Sequence, residues 1–264
     1  PPMPLRHKVV GQRFKRMLGE ITPYLTHRRA SLDFWTFSLG KDHNAAFGKT
    51  ISRGFAWDPS QWPVWFAREC VLPVLQGDEC LWFRSWFGGE SSIFIDRRPF
   101  GTINLYHQET DISTLADGKP HDIEVQTVPF GLFGSPQKDC CYTQSLLVWK
   151  HHSIIEAYTT FQTAIELLED ASDAHLKHEL RECLEKAFSM VTIPRDTQTY
   201  FQGVRDNPTL APKATSVWKT PDYPEGAVLQ AWPQVQTGLR NGARFLRERM
   251  DQLARIHTHP GSIW

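Results

Sequence analysis

Four carboxylates, Glu90, Asp96, Glu109 and Asp111, lie nearest the central hairpin of one segment, Asp78 to Leu115, that is also rich in tryptophan and phenylalanine. Retaining glycoside hydrolysis needs two carboxyl groups about 5 Å apart, or a carboxylate aided by a metal that orients the sugar hydroxyls. Spacing along one chain does not place such a pair, and polar residues at strand ends and turns are commonly structural, so no catalytic residue is assigned. The ten tryptophans and sixteen phenylalanines offer a second chemistry. A sugar's apolar face stacks on an exposed indole much as other apolar groups do. Trp82 and Trp86 share one face of a strand. Exposed, they form a stacking platform; packed under the N-terminal helix, they are core. Core is the favoured reading, because a contiguous exposed aromatic patch is uncommon on monomers. With Glu90 and His107, these two residues make up the candidate carbohydrate-binding set, although for His107 a hydrogen bond that fixes its loop is the favoured reading.

Other residue types give less. His151-His152 and His257-x-His259 have the spacing of metal ligands, but no Cys, His or Asp group stands at a matching interval, and no metal site is assigned. The five cysteines are odd in number and follow no repeating interval, which argues against a disulfide framework and for reduced thiols. No Gly-x-Gly-x-x-Gly, P-loop or Gly-x-Ser-x-Gly sequence is present, and Gly101, Gly131 and Gly134 read as turn formers.

The elements that must position these residues can be read in order. From Lys8 to Leu25 apolar residues recur at helical spacing until Pro23 ends or bends the helix. The aromatic, glycine-rich stretch through Trp35, Phe37, Phe47, Phe55 and Trp57 has no sustained period and reads as irregular connection over a sheet. Strands follow at Trp62–Leu72, through Asp78–Leu115, at His121–Val128 (Ile123 and Val125 inward, Glu124 and Gln126 outward) and at Ser145–Lys150. Leu81, Phe83, Ser85 and Phe87 oppose Trp82, Arg84 and Trp86 with period two, Gly88-Gly89 breaks the ladder, and Asp96-Arg97-Arg98-Pro99 supplies a turn. Short strands joined by turns predict an antiparallel β-sandwich.

At His151 the period changes to that of a helix carrying Ile154, Ile155, Tyr158, Phe161, Ile165 and Leu168. After Ala171-Ser172-Asp173 a second helix follows, with a serine or aspartate N-cap, and the two form an antiparallel hairpin. Tyr200–Asn207 reads as a short helical piece, Pro208 to Pro224 as a linker, Gln234–Ile256 as a further helix and HTHPGSIW as a frayed end. The expected organisation is therefore residues 1–150 as N-terminal helix and sandwich, 151–193 as helical hairpin, and 194–264 as linker and weakly ordered C-terminal helical extension.

The chain has 264 residues, 41% of them hydrophobic, and its 29 basic and 29 acidic residues cancel. With a mean hydropathy of −0.40 this is an ordinary globular composition. Balanced charge gives no electrostatic case for nucleic acid or an anionic membrane. No apolar run of about 18 residues exists and PPMPLRHKVV has no signal-peptide core, so a soluble cytoplasmic protein is expected.

The run GGESSIFIDRRPFGTINLYHQETDI, the WPVWFAREC strand, the PFGLFG loop and the helical pair from His151 to Met190 occur in an order that resembles the N-terminal domain of class II α-mannosidases, glycoside hydrolase family 38. The resemblance runs from about Phe14 to Gly226 and implies a jelly-roll or galactose-binding-like sandwich. It also implies a parent enzyme that is a zinc-dependent retaining hydrolase of α-mannosides, with this domain contributing structure, subunit contacts or one rim of the substrate approach. The implied partners are α-mannoside glycans and either the catalytic barrel or a second subunit. Family members continue after the linker with a His-x-Asp segment that binds zinc. Here YPEGAVL is followed by QAWPQVQTGLRNGARF without that segment, so no cofactor is expected in this chain and no α-mannosidase activity from it alone. Two other readings remain open: a stand-alone carbohydrate-binding module using exposed aromatics, and a protein–protein interaction domain using the helical stripe after His151.

Overall fold

The computed structural model describes residues 5–40, 48–131, 134–193 and 232–257. The readings of Tyr200–Asn207, of the proline-rich linker with YPEGAVL, and of the HTHPGSIW end with His259 fall outside these residues, as do Leu132 and Phe133 of the PFGLFG loop. In chain order the elements are α1 (Leu5–Ile21), β1 (Thr26–Ser31), β2 (Phe34–Leu39), β3 (Lys49–Ser52), β4 (Val64–Val71), β5 (Glu79–Trp86), β6 (Glu90–Ile95), β7 (Arg98–Ile103), β8 (Glu109–Asp111), β9 (Pro120–Val128), β10 (Gln144–His151), α2 (His152–Asp170), α3 (Ala174–Ser189) and α4 (Trp232–His257). They fall into two compact units: Arg28–Lys150, which carries the strands, and Pro1–His27 with His151–Trp264, which carries the helices.

The strand unit is an antiparallel β-sandwich of the expected class. One sheet has the order β1-β10-β5-β8 and the other β3-β2-β4-β9-β6-β7. Period-two alternation explains its core. Leu81 and Phe83 of β5, Ile93 and Ile95 of β6, Ile123 and Val125 of β9, and Leu147 and Trp149 of β10 all enter one buried cluster. Phe87, just past β5, is its aromatic hub, with ring centroids 4.4 Å from Phe66, 4.9 Å from Tyr142 and 5.0 Å from Trp35. Burying a side chain of this size contributes about 1.5–3 kcal/mol over leaving it in water. Within the core Trp35 Nε1 donates to the Leu32 carbonyl at 2.7 Å and Tyr142 Oη lies 2.7 Å from Ser145 Oγ, while Ser85 Oγ and Trp149 Nε1 are buried without a hydrogen-bond partner among the described residues.

Gly88-Gly89 is where the chain leaves one sheet for the other. Gly88 has φ +100°, and a Cβ there would lie 2.5 Å from the Cys141 nitrogen; one on Gly89 would lie 2.0 Å from the Val128 carbonyl oxygen. Only glycine fits that crossing. The β6–β7 hairpin then turns through Asp96 and Arg97, both with positive φ (51° and 65°), which matches the twist of the strands it joins.

Three expectations for this unit and its neighbours are corrected. The stretch read as irregular connection contains β2 and β3, with Trp35 opposite Ile51 and Phe37 opposite both Lys49 and Phe66. These strands are short and held by distant partners, so no local period marks them. The helix at residues 232–257 is not a loose extension. Leu239, Ala243 and Leu246 are buried in the same cluster as Phe14 and Leu18 of α1, Ile154, Phe161 and Ile165 of α2, and Leu184, Ala187 and Phe188 of α3. The expected grouping of α1 with the sandwich also differs from the structure, in which α1 packs in this helical cluster. Asp173 caps α3 as expected, accepting the Leu176 amide at 2.7 Å. Gly238 and Gly242 set the close contact of α4: a Cβ on the first would lie 2.4 Å from the Met190 carbonyl oxygen, and on the second 2.8 Å from that of Ala187.

Candidate functional site

Side chains of β9, β6 and β7 that point away from the sandwich core stand in rungs, because the three strands pair in antiparallel register. Gln126, Ser92 and Thr102 are direct neighbours across the sheet, and Val128 stands beside Glu90 on the next rung. Asn104, one residue past β7, follows on the same side as Thr102. These six residues, with Ser91 and Ile103, line a concavity of about 290 Å³. At one end Phe94, two residues along from Ser92, packs 5.7 Å from the buried ring of Trp65. At the other, Phe130 accepts the Glu90 amide at 2.9 Å and meets the ring of Trp62 edge-on, 5.2 Å between centroids.

Among the described residues, the side chains of Glu90, Ser92, Thr102 and Gln126 make no hydrogen bond to protein, so their donors and acceptors are open toward this space. Asn104 uses Oδ1 to receive the amides of Tyr106 and His107, both at 2.9 Å, which leaves its amide nitrogen for a ligand. Hydroxyl, amide and carboxylate groups on a rigid sheet suit a ligand rich in hydroxyls. Among the described residues of the lining Glu90 is the single ionisable group, and they present no acid–base pair.

The other three carboxylates are engaged elsewhere. Glu109 faces Arg84 across the β5–β8 register. Its carboxylate receives Arg84 Nε at 2.6 Å and also bonds Lys150 Nζ. Burial by itself pushes Glu109 upward; the Arg84 and Lys150 charges outweigh it and hold the carboxyl below its usual range. Asp111 receives the amide and hydroxyl of Ser113. Asp96 lies 2.7 Å from His121 Nδ1, and Asp117 lies 3.0 Å from its Nε2. Hydrogen bonds to Asp117 and Asp96 raise the His121 pKa, and the same bonds lower those of the two aspartates. This Asp–His–Asp clasp ties the β6–β7 turn to the start of β9. Nothing in the sequence singled it out, because its members are brought together only by strand pairing.

The four candidate carbohydrate-binding residues do not converge. Glu90 lines the concavity. His107 is exposed at the end of a turn that begins at Asn104, its carbonyl accepting the Asn104 amide at 3.0 Å. Trp82 and Trp86 belong to the other sheet. Lys150 Nζ stands 4.7 Å from the Trp82 ring centroid, Trp82 Nε1 donates to Cys80 Sγ at 3.4 Å, and Trp86 is half-buried against the sandwich core. Trp86 and Glu90 are close in sequence, but Gly88-Gly89 carries the chain from one sheet to the other between them.

The zinc implied by the family resemblance finds no fit among the described residues, where no group of three or more His, Cys, Asp or Glu is placed to hold a metal. Both nitrogens of His121 are already bonded to carboxylates. His151 stacks on His27, with centroids 4.2 Å apart. The cysteines are free thiols; burial pushes those of Cys70, Cys80 and Cys140 up, away from the reactive thiolate. No described helix is long and apolar enough to cross a membrane.

The sequence matches no protein-family model and no curated protein. Among solved structures the chain is similar to an FMN-binding β-glucuronidase from Faecalibacterium prausnitzii, with 13% identity over 46% of this chain and 22% of that one and a TM-score of 0.36. It is also similar to a calcium-binding mutant of Bacteroides uniformis β-glucuronidase 2, with 15% identity over 46% and 18% of the two chains and a TM-score of 0.37. A third likeness is to a rhamnosidase from a Novosphingobium species, with 13% identity over 46% and 15% and a TM-score of 0.35. The structural neighbours are thus glycosidases, and this chain spans less than a quarter of the length of each of the three.

Proposed function

We propose that this chain is a non-catalytic domain of a glycoside hydrolase and that it meets the glycan on the outer face of its six-stranded sheet. The observation that carries the reading is the concavity on β9, β6 and β7, where Glu90, Ser92, Thr102, Asn104 and Gln126 direct unengaged polar groups into one space. Strand pairing fixes these groups in advance, so little ordering cost opposes binding. With Glu90 the one carboxylate among the described lining residues, binding without cleavage is the reading these groups support.

The finer identity is an accessory domain of a zinc-dependent retaining α-mannosidase of family 38. It is supported by the order of the Gly-Gly-Glu, hairpin and YHQE segments, which in the structure are the crossing into β6, the β6–β7 hairpin and the turn leading to β8. Zinc then belongs to the catalytic barrel of the parent, and α-mannoside glycans are the ligands. Free thiols fit a reducing compartment such as the cytoplasm.

Titration of the ¹⁵N-labelled chain with α-mannobiose tests this. Saturable shifts are expected in the side-chain amides of Gln126 and Asn104 and in the backbone amides of Ser92 and Thr102. Gln126→Ala should weaken binding about fivefold, the worth of one neutral hydrogen bond of about 1 kcal/mol. A folded chain whose spectrum does not respond to the sugar refutes the reading.

A further inference from the structure

We propose that Trp62 is the apolar half of this sugar site and that the site selects an uncharged pyranoside over a uronate. The proposal rests on reading the concavity as carbohydrate-binding and assigns the chemistry of its two ends. Seven tryptophans lie in the sandwich unit. Trp35, Trp57, Trp65 and Trp149 are buried, Trp82 and Trp86 are half-buried, and Trp62 alone is exposed, at 51%.

A lone exposed apolar residue needs no explanation; the position of Trp62 does. Its ring meets Phe130 edge-on at 5.2 Å and 79°. Phe130 in turn holds the Glu90 amide through its carbonyl, and Val128, two residues before it, is the cross-strand partner of Glu90. The indole therefore stands at the Glu90 end of the polar concavity. Its base is anchored by a turn in which the Asp58 carbonyl accepts the Gln61 amide at 3.0 Å and Asp58 Oδ1 accepts the Ser60 amide at 2.8 Å. The rest of the lining is mainly polar, with Val128 and Ile103 its apolar members. A pyranose has the same division, with C–H groups on its ring face and hydroxyls around its rim, so a ring against Trp62 directs its rim toward Glu90, Asn104 and Ser92.

Charge sets the second part. Among the described residues Glu90 is the one ionisable lining residue, and no described lysine, arginine or histidine lines the concavity to receive an acid. A uronate carboxylate would be brought toward Glu90 with no cation beside it, a like-charge contact that opposes binding. A neutral sugar lets the Glu90 carboxylate accept hydrogen bonds from two hydroxyls.

Calorimetric titration with methyl α-D-mannopyranoside and with D-glucuronate, on the full chain and on Trp62→Ala, Trp62→Phe and Gln126→Ala, separates the outcomes. The mannoside should bind and glucuronate should not. Trp62→Ala should weaken the mannoside about tenfold, equivalent to about 1.4 kcal/mol, with Trp62→Phe intermediate and the urea midpoint unchanged. If Trp62→Ala binds as tightly as the parent chain while Gln126→Ala is weakened, the inference about Trp62 falls and the carbohydrate reading stands. Glucuronate binding as tightly as the mannoside overturns the charge selection. If neither sugar binds the folded chain, the carbohydrate reading falls and this inference with it.

Discussion

Replacing Gly238 with alanine gives the sharpest test of the helical packing, because helix propensity and packing pull in opposite directions. In an exposed helix interior the change stabilises by about 1 kcal/mol, since alanine loses less backbone entropy than glycine. At Gly238 the added carbon would sit 2.4 Å from the Met190 carbonyl oxygen and 3.0 Å from Val191 Cα. Both are backbone atoms, so relief requires α4 to move away from the end of α3. That movement loosens the buried contacts among Leu239, Ala243, Ala187 and Phe188. Overpacking of this kind costs about 1–3 kcal/mol, and a backbone obstacle places it at the upper end. The net expectation is a loss of about 2 kcal/mol, or about 4–8 °C in melting temperature for a chain of this size. The control is Gly19→Ala in α1, where nothing lies within 4 Å of the added carbon. It should stabilise by about 0.5–1 kcal/mol. Urea unfolding followed by far-ultraviolet circular dichroism reads both. Gly238→Ala as stable as the parent chain would refute the close α3–α4 contact. The double change Gly238→Ala/Gly242→Ala should cost less than the sum of its parts, since one displacement relieves both clashes.

Other expectations concern charge and activity. Since the folded His121 pKa is raised, the clasp contributes fully below about pH 6.5 and is lost as pH rises through the higher folded value. The lowered Asp96 and Asp117 pKa values add a second limit, with stability present above about pH 4 and lost on acidification below it. Urea midpoints should therefore fall as pH rises above about 6.5, and His121→Gln should abolish that fall; an unchanged profile sinks the assignment. Glu109→Gln leaves Lys150, only 8% exposed, beside Arg84 without its shared carboxylate, and should cost about 2–4 kcal/mol in the same assay. Lys150→Met in that background should recover part of the loss. A homogeneous preparation supplied with zinc should not release mannose from α-mannobiose; turnover would mean that the active site has been misplaced.

What could be read in advance follows the range of the interactions. The alternation of Leu81, Phe83 and Ser85 against Trp82, Arg84 and Trp86 is local, as is the outward setting of Glu124 and Gln126, and both are realised in β5 and β9. The asparagine and carboxylate that share a space with Gln126 are not local to it. Glu90, Thr102 and Asn104 reach it only through the β9–β6–β7 register, which no window of sequence contains. Trp62 could be read only as the start of a strand, because its exposure depends on where Phe130 ends up. The Asp96–His121–Asp117 clasp escaped notice for the same reason. In α4, the spacing of Leu239, Leu246 and Leu253 announced a helix, but its burial against α2 and α3 depends on the matching faces of elements far back in the chain.

The sandwich is threaded into the chain between α1 and α2, entering through β1 and leaving through β10, which are neighbours in one sheet. This order has a consequence for the protein while it is being made. The first helix leaves the ribosome long before α2, against which it packs. At about 5–20 residues per second, the intervening stretch takes roughly 7–26 s to synthesise. Throughout that interval the apolar stripe of Phe14, Leu18 and Ile21 has no native surface to cover it, whereas the sandwich, contiguous in sequence, can close as soon as β10 emerges. The nascent chain thus presents a folded β domain preceded by a bare amphipathic helix, the kind of segment that holdase chaperones retain until its partners arrive.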